Sequence, residues 1–378
     1  MGLTIGFFTD GQSFEGDATE TGALGGSETA FIQITRALAK QGHTVMAFNN
    51  CQEAKEHCGV SYHPFRKSLQ LLASQNFDVI VVSRFFGFFS LPIKSRIKVL
   101  WNHDTLDNPQ ALRAINDEID LIFVLSEFHR NNYLTRLPEL DDRTVVTRNG
   151  LDLKLLEEAT RGVKKVPGTL IYASRPERGL KHLLEEIWPR LSRARSDLKL
   201  YLCGYNVNQK LLNDELIKLY QYLSVLASKD DRIINLGCLS KAEYYRKLAE
   251  SEILVYPCIF PEVSCLAVLE AQAVSTAVLT TDGYALSESV ALPEFKIAGR
   301  PYSPSYIEKF VERALKFLSD GELLDSLAKK SSSMIKSRYS WEQVAKEWGR
   351  LFDLSLRSKD NHPHFLQIHQ KGTNALLV

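Results

Sequence analysis

Several features that would place a chain in a functional class at once are missing from this sequence. Its six cysteines include no C-x-x-C pair, so neither a zinc site nor a dithiol redox site is indicated. No apolar run approaches the roughly 20 residues of a membrane-spanning helix. Lys and Arg number 46 against 45 Asp and Glu, for a net charge of +1. A balance so close to neutral gives no argument for nucleic acid or an anionic membrane as a partner.

What the chain does contain is the composition of a globular protein. Hydrophobic residues make up 44% and charged residues 24%. A length of 378 residues is enough for two domains, each with a core of its own. Because the N-terminus lacks the charged region and apolar core of a secretory signal, we expect a reduced, cytoplasmic protein.

Short apolar segments of strand type alternate with segments of helical periodicity along the chain. This pattern is typical of parallel sheets covered on both faces. Two series of segments flank the linker "GVKKVPGT" at 162–169. We therefore predict an α/β fold of two doubly wound, Rossmann-like domains that face each other across a cleft, with ligands at the carboxyl ends of the strands. The strand-type segments are 3–9, 43–49, 77–83, 97–103, 121–126 and 144–150, then 170–174, 199–204, 232–237, 253–257 and 277–281.

The stretch "GALGGSETA" at 22–30 brings glycines to the start of a predicted helix. Gly25 and Gly26 allow the backbone to approach a ligand closely, and a helix N-terminus attracts anions. A dinucleotide is not indicated, because the Rossmann fingerprint follows the first strand in a tight turn. Here the loop "DGQSFEGDATET" separates the first strand from the glycines. Glu28 is interpreted as a first-turn carboxylate that the helix dipole favours.

Two arginines follow a strand of the second series in "IYASRPERGLKHLL" at 171–184. Arg175 and Arg178 flank Pro176, and a helical run begins just after Gly179. Guanidinium groups at the carboxyl end of a strand suit a diphosphate, because Arg forms bidentate hydrogen bonds to phosphate oxygens. A solvated loop with helix-capping charges is the alternative interpretation.

Two glutamates mark the stretch "YPCIFPEVSCLAVLEAQA" at 256–273. On one helix, Glu262 and Glu270 would lie ~12 Å apart, whereas the paired carboxylates of glycosidases lie ~5 to 9.5 Å apart. We therefore place Glu262 in a loop and begin the helix near Ser264. The N–H groups of Ser264, Cys265 and Leu266 are then available to a phosphate. Glu270 lies in an apolar run where a carboxylate needs partners, and a ribose would supply hydroxyl groups.

Together these stretches resemble the retaining glycosyltransferases of family 4, which have the GT-B fold. The resemblance extends over nearly the whole chain in the family's order, and the E-x7-E spacing of Glu262 and Glu270 is its most specific mark. Ser275 is a departure, since the family usually has glycine there. The matching stretches are "GALGGSETAFIQITRALAKQGHTV", "NHD", "LSEFHRNNYL", "TRNGLDL", "SRPERGL", "YPCIFPEVSCLAVLEAQA" and "YSWEQVAKEW".

The resemblance implies donor-binding roles for residues of the second domain. Glu262 would contact the transferred sugar, and Glu270 would bind the nucleotide ribose. Arg175 and Arg178 would contact the diphosphate, with Arg178 in place of the lysine that is common in the family.

The resemblance also implies roles for residues of the first domain. Gly25 and Gly26 match a glycine loop that approaches the diphosphate and sugar of the donor and faces the acceptor. His103 matches the active-site histidine near the transferred sugar, where it would orient or stabilise that sugar rather than act as an independent base.

The implied activity is retaining transfer of a sugar from a nucleoside diphosphate, UDP foremost, to a hydroxyl of a saccharide, glycoconjugate or lipid-linked acceptor. Metal-dependent transferases usually show an Asp-x-Asp, which this chain lacks. Arginines and helix N-termini would then stabilise the charge left on the phosphate, so neither a metal nor a cofactor is expected. Two alternatives stay open: a sugar-nucleotide 2-epimerase and a non-catalytic nucleotide-sugar-binding subunit.

The domain layout follows from the linker and the resemblance. We predict an acceptor-side domain at 1–160 and a nucleotide-sugar-binding domain at 161–336. The amphipathic segment 337–357 would form a helix that crosses back to the first domain, and 358–378 would form a tail.

Phenylalanines precede basic residues in "SRFFGFFSLPIKSRIK" at 83–98. Aromatic and cationic side chains together suit a peripheral membrane contact and a lipid-linked acceptor. A loop packed in the core that leads into an ordinary strand is the favoured interpretation, because the net charge is near neutral and no basic amphipathic helix is visible.

Overall fold

The computed structural model describes residues 2–21, 24–204 and 212–361. The chain divides into two compact units. The first unit contains the described residues of 1–18, 26–150 and 340–378, and the second contains those of 19–25 and 151–339. The first boundary between the two units, at 18/19, falls inside a one-turn helix, α1 (Ala18–Thr21).

The first unit is built on an eight-stranded sheet in the order β3-β4-β2-β1-β5-β6-β7-β8. All neighbouring strands are parallel except the hairpin of β3 and β4. The strand order reverses between β1 and β5, so this is the switch point of the sheet, where ligands bind in doubly wound folds. The strands are β1 (Thr4–Phe8), β2 (Thr44–Asn49), β3 (Lys55–His57), β4 (Val60–Pro64), β5 (Asn76–Ser83), β6 (Lys94–Trp101), β7 (Leu121–Val124) and β8 (Thr144–Val146).

Helices cover the sheet of the first unit because its strands are apolar on both faces. The longest helix packs Trp348 against Trp101 and Phe123, with ring centroids 5.0 and 4.8 Å away. The α-helices are α2 (Gly26–Lys40), α3 (Leu69–Ser74), α4 (Pro109–Arg113), α5 (Glu127–Leu134) and α15 (Trp341–Asn361), with 3₁₀ turns at Phe65–Lys67, Phe86–Ser90, Asn116–Glu118 and Pro138–Arg143.

The second unit is built on a six-stranded, all-parallel sheet in the order β11-β10-β9-β12-β13-β14. Numbered within the unit, this is the 3-2-1-4-5-6 order of the Rossmann fold, with its switch point between β9 and β12. The strands are β9 (Thr169–Tyr172), β10 (Lys199–Gly204), β11 (Ile233–Cys238), β12 (Ile253–Tyr256), β13 (Ala277–Thr281) and β14 (Lys296–Ile297).

The helices of the second unit connect these parallel strands and bury a single large core against them. One of them runs from α7 through a π-helical turn at Leu183–Ile187 into α8. The helices are α6 (Leu153–Thr160), α7 (Leu180–His182), α8 (Trp188–Ala194), α9 (Asp214–Ala227), α10 (Lys241–Glu250), α11 (Leu266–Ala273), α12 (Leu286–Ser289), α13 (Pro304–Ser319) and α14 (Gly321–Arg338), with 3₁₀ turns at Pro176–Arg178 and Pro293–Phe295.

The units divide at 150/151, whereas the sequence predicts 160/161. The reason is α6, which precedes the linker but buries Leu156 in the core of the second unit. At the other end, the chain rejoins the first unit at Ser340, and α15 extends to Asn361. The segment predicted as a tail therefore begins inside this helix, and residues 362–378 lie outside the described part of the chain.

None of the helices within the described residues combines the length and the apolar character that crossing a lipid bilayer requires.

Candidate active site

Glu262 is a buried carboxylate in the loop that follows β12, at the switch point of the second sheet. Its side chain accepts a hydrogen bond from Tyr256 Oη at 2.7 Å and another from Arg178 Nη1 at 2.9 Å. Only 4% of the residue is exposed. A carboxylate so buried needs charged or hydrogen-bonding partners, and it has both. The structure thus holds Glu262 in one orientation.

Gly179 fixes the approach of Arg178 to that loop. Its φ of 142° lies in the left-handed range, and a Cβ there would stand 2.3 Å from the carbonyl oxygen of Pro257. The N–H of Ile259 donates to the carbonyl of Arg178 at 3.1 Å. The guanidinium then lies over the ring of Phe260, 4.0 Å from its centroid. Only glycine permits this close packing of the two loops.

Arg175 forms a separate ion pair, so the two arginines do not share one partner. Its Nε lies 2.5 Å from Glu177 Oε1, and its carbonyl accepts from Tyr172 Oη at 2.8 Å. Tyr220 Oη donates to the other oxygen of Glu177 at 2.6 Å. Burial, followed by this donation to a carboxylate, raises the pKa of Tyr220 to about 12. Arg175 is thereby placed in the loop that follows β9, at the switch point.

Glu270 lies in α11 and is 3% exposed. Lys241 Nζ stands 2.5 Å from its Oε1, and Tyr245 Oη donates to the same oxygen at 3.2 Å. Burial raises the pKa of Tyr245 well above its ordinary value, so the phenol stays a donor. Both partners belong to α10. The buried carboxylate of Glu270 is therefore compensated within the protein.

Helix α11 begins later than the sequence predicts. Its first residue is Leu266 and its N-cap is Cys265, so Ser264 lies outside the helix. The sequence predicts free helical N–H groups at Ser264, Cys265 and Leu266. In the structure, the N–H groups without a partner inside the helix begin at the N-cap, Cys265, so that of Ser264 is not one of them. The N–H groups of Cys265 and Leu266 remain among them. Burial raises the pKa of the Cys265 thiol well above its ordinary value, which keeps that thiol neutral.

The C-terminus of α11 explains how serine is tolerated where glycine was expected. Ser275 has φ 57°, in the left-handed region. The N–H of Thr276 donates to the carbonyl of Ala271, and that of Ser275 donates to the carbonyl of Gln272. These two hydrogen bonds form a Schellman motif with Ser275 at C′, the position that glycine favours. The helix end is therefore regular, at the cost of a strained residue.

His103 lies in the loop after β6, and the backbone of that loop is held from two sides. Asn102 Oδ1 accepts hydrogen bonds from the N–H groups of His103 and Asp104. The buried His129 ring accepts from the N–H of Leu125 at Nδ1, so its Nε2 donates to the carbonyl of Asp104 at 2.8 Å. Burial lowers the pKa of His129 to about 4, so this link involves a neutral ring at neutral pH.

The His103 imidazole is available for a hydrogen bond. Its ring packs against Trp101 at a centroid distance of 4.2 Å. Its Nε2 is inaccessible to solvent and has no hydrogen-bond partner among the described residues. Burial, and then the positive charge of Arg84, lower the pKa of His103 well below its ordinary value. The ring is therefore neutral, which suits orienting a substrate rather than delivering a proton as imidazolium.

Gly25 and Gly26 stand at the start of α2, whose first residue is Gly26. Gly25 is half-buried and Gly26 is exposed. Glu28 lies in the first turn of the same helix, as the sequence predicts, and its side chain is buried. Arg84 lies close to Glu28, and the sequence contains no motif that singles it out.

The sequence is similar to glycosyltransferases. Residues 162–334 match the family described as "Glycosyl transferases group 1". A lipopolysaccharide 1,2-N-acetylglucosaminetransferase of Salmonella typhimurium is 28% identical over 247 residues, which is 60% of this chain and 60% of that protein. The match thus spans less than two thirds of the relative.

Two solved structures with a similar fold each align with 93% of the chain. Sucrose-phosphate synthase of Thermosynechococcus elongatus has a TM-score of 0.72 at 16% identity, covering 93% of this chain and 98% of that one. Anabaena HepE in complex with UDP and glucose has a TM-score of 0.68 at 15% identity, covering 93% and 99%. At 15–16% sequence identity, the similarity shows the fold alone.

The two parallel sheets and these neighbours show the GT-B fold. More particularly, the chain carries a group 1 glycosyltransferase domain at 162–334. The predicted fold class and the predicted kind of enzyme are confirmed. The roles assigned to individual residues stay predictions.

Proposed function

We propose that the chain is a retaining, metal-independent glycosyltransferase of family 4. It transfers a sugar from a nucleoside diphosphate, UDP foremost, to a hydroxyl of a saccharide, glycoconjugate or lipid-linked acceptor. The observation that carries this proposal is Glu262, a buried carboxylate held by Arg178 and Tyr256 at the switch point of a Rossmann sheet. The nucleotide-sugar class is supported by HepE, which has been solved with UDP-glucose.

The donor contacts are proposed from the geometry of the second unit. Glu270 receives the ribose hydroxyl groups, and Lys241 holds its carboxylate in place. The N–H groups of Cys265 and Leu266, at the start of α11, receive the diphosphate. Arg175 lies in the loop after the neighbouring strand. It gives up its ion pair with Glu177 and contacts the diphosphate instead.

Departure of the nucleoside diphosphate leaves negative charge on a phosphate oxygen. Fixed donors stabilise such charge without reorganisation, and removal of one donor commonly slows a reaction ~10²- to 10³-fold. In the proposed reaction, the acceptor hydroxyl attacks from the face that the leaving group vacates, and a donor phosphate oxygen takes its proton. Glu262 and Arg178 together orient the sugar. His103, as a neutral imidazole, donates or accepts one hydrogen bond at that sugar.

The acceptor side and the location remain proposals as well. The Salmonella relative's name describes transfer onto lipopolysaccharide, which favours a glycoconjugate. A membrane contact through 83–98 is not favoured, because Phe88 and Phe89 are buried. Arg96 and Lys98 also have carboxylate partners. We therefore place the enzyme in the cytoplasm.

The test is turnover of a panel of nucleotide sugars by the purified protein in EDTA, followed by mass spectrometry and NMR. Transfer, or slow hydrolysis of one donor, supports the proposal. Inversion at C2 of the free donor would instead identify an epimerase, and binding without turnover a non-catalytic subunit. Arg175→Ala is expected to lower the rate at least 100-fold if it stabilises the leaving group. Arg190→Ala, which removes an exposed helical ion pair in the same unit, is the control.

A further inference from the structure

Two neighbouring tyrosines of α10 lie beside Lys241 and Glu270, and we call these four residues the Tyr244 cluster: Lys241, Tyr244, Tyr245 and Glu270. Lys241 is the first residue of α10. Its Nζ lies 5.3 Å from the ring centroid of Tyr244 and 5.2 Å from that of Tyr245. The same Nζ lies 2.5 Å from Glu270 Oε1. The ammonium group therefore contacts both aromatic rings and the carboxylate at once.

The two tyrosines differ in their hydrogen bonding. Tyr245 Oη donates to Glu270 Oε1 at 3.2 Å. Tyr244 Oη is closed to solvent, and it has no hydrogen-bond partner among the described residues. A buried hydroxyl without a partner destabilises the folded protein, and most such groups in native proteins are paired. The hydroxyl of Tyr244 therefore has a hydrogen bond to offer to a group from outside these residues.

Tyr244 keeps its proton, so its Oη can both donate and accept a hydrogen bond. Burial, and then the negative charge of Glu270, raise the pKa of Tyr244 well above its ordinary value. The charges of the cluster compensate each other, because Lys241 pairs with Glu270. A phenol in such a setting suits an uncharged hydroxyl group, whereas the guanidinium of Arg175 suits a phosphate.

The position of Tyr244 indicates which part of a nucleotide would lie near it. Glu270, in the same cluster, is proposed to receive ribose hydroxyl groups. The N–H groups of Cys265 and Leu266, at the start of the helix that carries Glu270, are proposed to receive the diphosphate. The thiols of Cys265 and of Cys203, near the carboxyl end of β10, lie close enough to act on the pKa of Tyr244. Because the ribose joins the phosphates to the base, it is the part of the nucleotide that passes between these groups.

We propose that Tyr244 is a specificity-determining residue for the donor: its Oη forms a hydrogen bond with one ribose hydroxyl, next to the hydroxyl that Glu270 receives. The inference rests on the proposed function and deepens its donor site, which then distinguishes ribonucleotides from deoxyribonucleotides. Because Oη is closed to solvent while the residue as a whole is half-buried, binding includes a turn of this side chain towards the ribose.

Isothermal titration calorimetry compares UDP, GDP and ADP with the 2′-deoxy and 3′-deoxy forms of each. The wild type is expected to lose affinity when either hydroxyl is removed from the ribonucleotide that it binds most tightly. Tyr244→Phe is expected to weaken binding of that ribonucleotide ~3- to 10-fold, the contribution of one uncharged hydrogen bond. For one of the two deoxy forms, Tyr244→Phe should leave the affinity within twofold of wild type, because the hydroxyl that Oη contacts is already missing.

Tyr222→Phe is the matched control, since it removes the hydroxyl of an exposed tyrosine that donates to Glu185 in the same unit. It should leave binding of every nucleotide within twofold. Tyr244→Phe should melt at the wild-type temperature or above it, because it deletes a buried hydroxyl that has no partner in the described chain. Tyr245→Phe should melt at a lower temperature, because it deletes a hydrogen bond to Glu270.

Four results would overturn the inference. Equal weakening of the ribonucleotide and of both deoxy forms in Tyr244→Phe would show that the residue only shapes the site. Unchanged binding in Tyr244→Phe, with or without a lower melting temperature, would show that the hydroxyl pairs with water or with the protein itself. Equal affinity of the wild type for the ribonucleotide and its deoxy forms, or binding of none of these nucleotides, would exclude a ribose contact.

Turnover of the corresponding nucleotide sugars is measured on the same samples. A wild type that turns over a donor, while Tyr244→Phe keeps the full discrimination between ribose and deoxyribose, would refute the inference alone. Discrimination that depends on Tyr244, without turnover of any donor, would refute the proposed transfer alone, because calorimetry records binding without chemistry. The two failures are therefore distinguishable.

Discussion

Replacement of Glu262 by glutamine tests whether its buried charge serves catalysis or only the fold. Glutamine has the shape of glutamate, and its amide oxygen can still accept from Arg178 and Tyr256, which both donate to the same carboxylate oxygen, so the substitution removes the charge and keeps the hydrogen bonds. Removing one partner of a fully buried ion pair costs about 3–5 kcal/mol. Arg178 is 23% exposed along its side chain and stays partly hydrated, so we expect about 2 kcal/mol. At 2–4 °C per kcal/mol, the second unit should melt about 4–8 °C lower.

The effect of Glu262→Gln on the rate should be larger than its effect on stability. If the carboxylate contacts the reacting sugar, loss of its charge should lower kcat/KM about 100- to 1000-fold. Tyr256→Phe is the matched control, because it removes the other hydrogen bond to the same oxygen and leaves the charge in place. It should destabilise the fold by about 1 kcal/mol and lower the rate less than tenfold.

Both variants are assayed by UDP release from the preferred nucleotide sugar at a temperature well below either melting point. Circular dichroism and calorimetry give the stability of the same preparations. Equal rate losses in Glu262→Gln and Tyr256→Phe, or a near wild-type rate in Glu262→Gln, would refute the assignment of Glu262 to the transferred sugar.

Three further predictions concern the fold. Trp348→Ala should destabilise the first unit by about 3–5 kcal/mol, because a fully buried indole leaves a cavity; an unchanged melting temperature would contradict the packing of α15. Ser275→Gly should raise the melting temperature slightly. Glycine relieves about 1 kcal/mol of strain at this left-handed φ, and the greater conformational entropy of the unfolded chain offsets part of that gain. His129 has a folded pKa of about 4 and an ordinary value of 6.5, so the unfolded chain binds the extra proton between these values. Stability should therefore fall as the pH decreases from 6.5 to 4, by up to about 3 kcal/mol, and urea titrations of His129→Gln should show a flatter dependence.

The strongly apolar strands of both sheets could be read from the sequence because they are buried on both faces. β1, β5 and β12 appear within a residue or two of their predicted positions. The β3–β4 hairpin escaped prediction, because β3 is exposed and polar. Its turn places Cys58 and Gly59 at positive φ, and Cys-Gly is not among the dipeptides that signal such a turn.

Motif spacing singled out Glu262 and Glu270 as candidate site residues, but it did not predict their contacts. The E-x7-E spacing identified Glu262 and Glu270, whereas the contact of Arg178 with Glu262 depends on the turn at Gly179, which brings two distant loops together. Arg84 was missed for a similar reason. Its segment was interpreted by its phenylalanines, and neither a left-handed φ nor contacts with Glu28 can be derived from a local pattern.

The stereochemistry of donor hydrolysis tests the central proposal most directly. The purified enzyme is incubated with an α-linked UDP-sugar in EDTA, and ¹H NMR records which anomer of the free sugar forms first, before mutarotation. Retaining, metal-independent transfer predicts the α anomer at an undiminished rate. Initial release of the β anomer, or turnover that requires an added divalent metal, would contradict it.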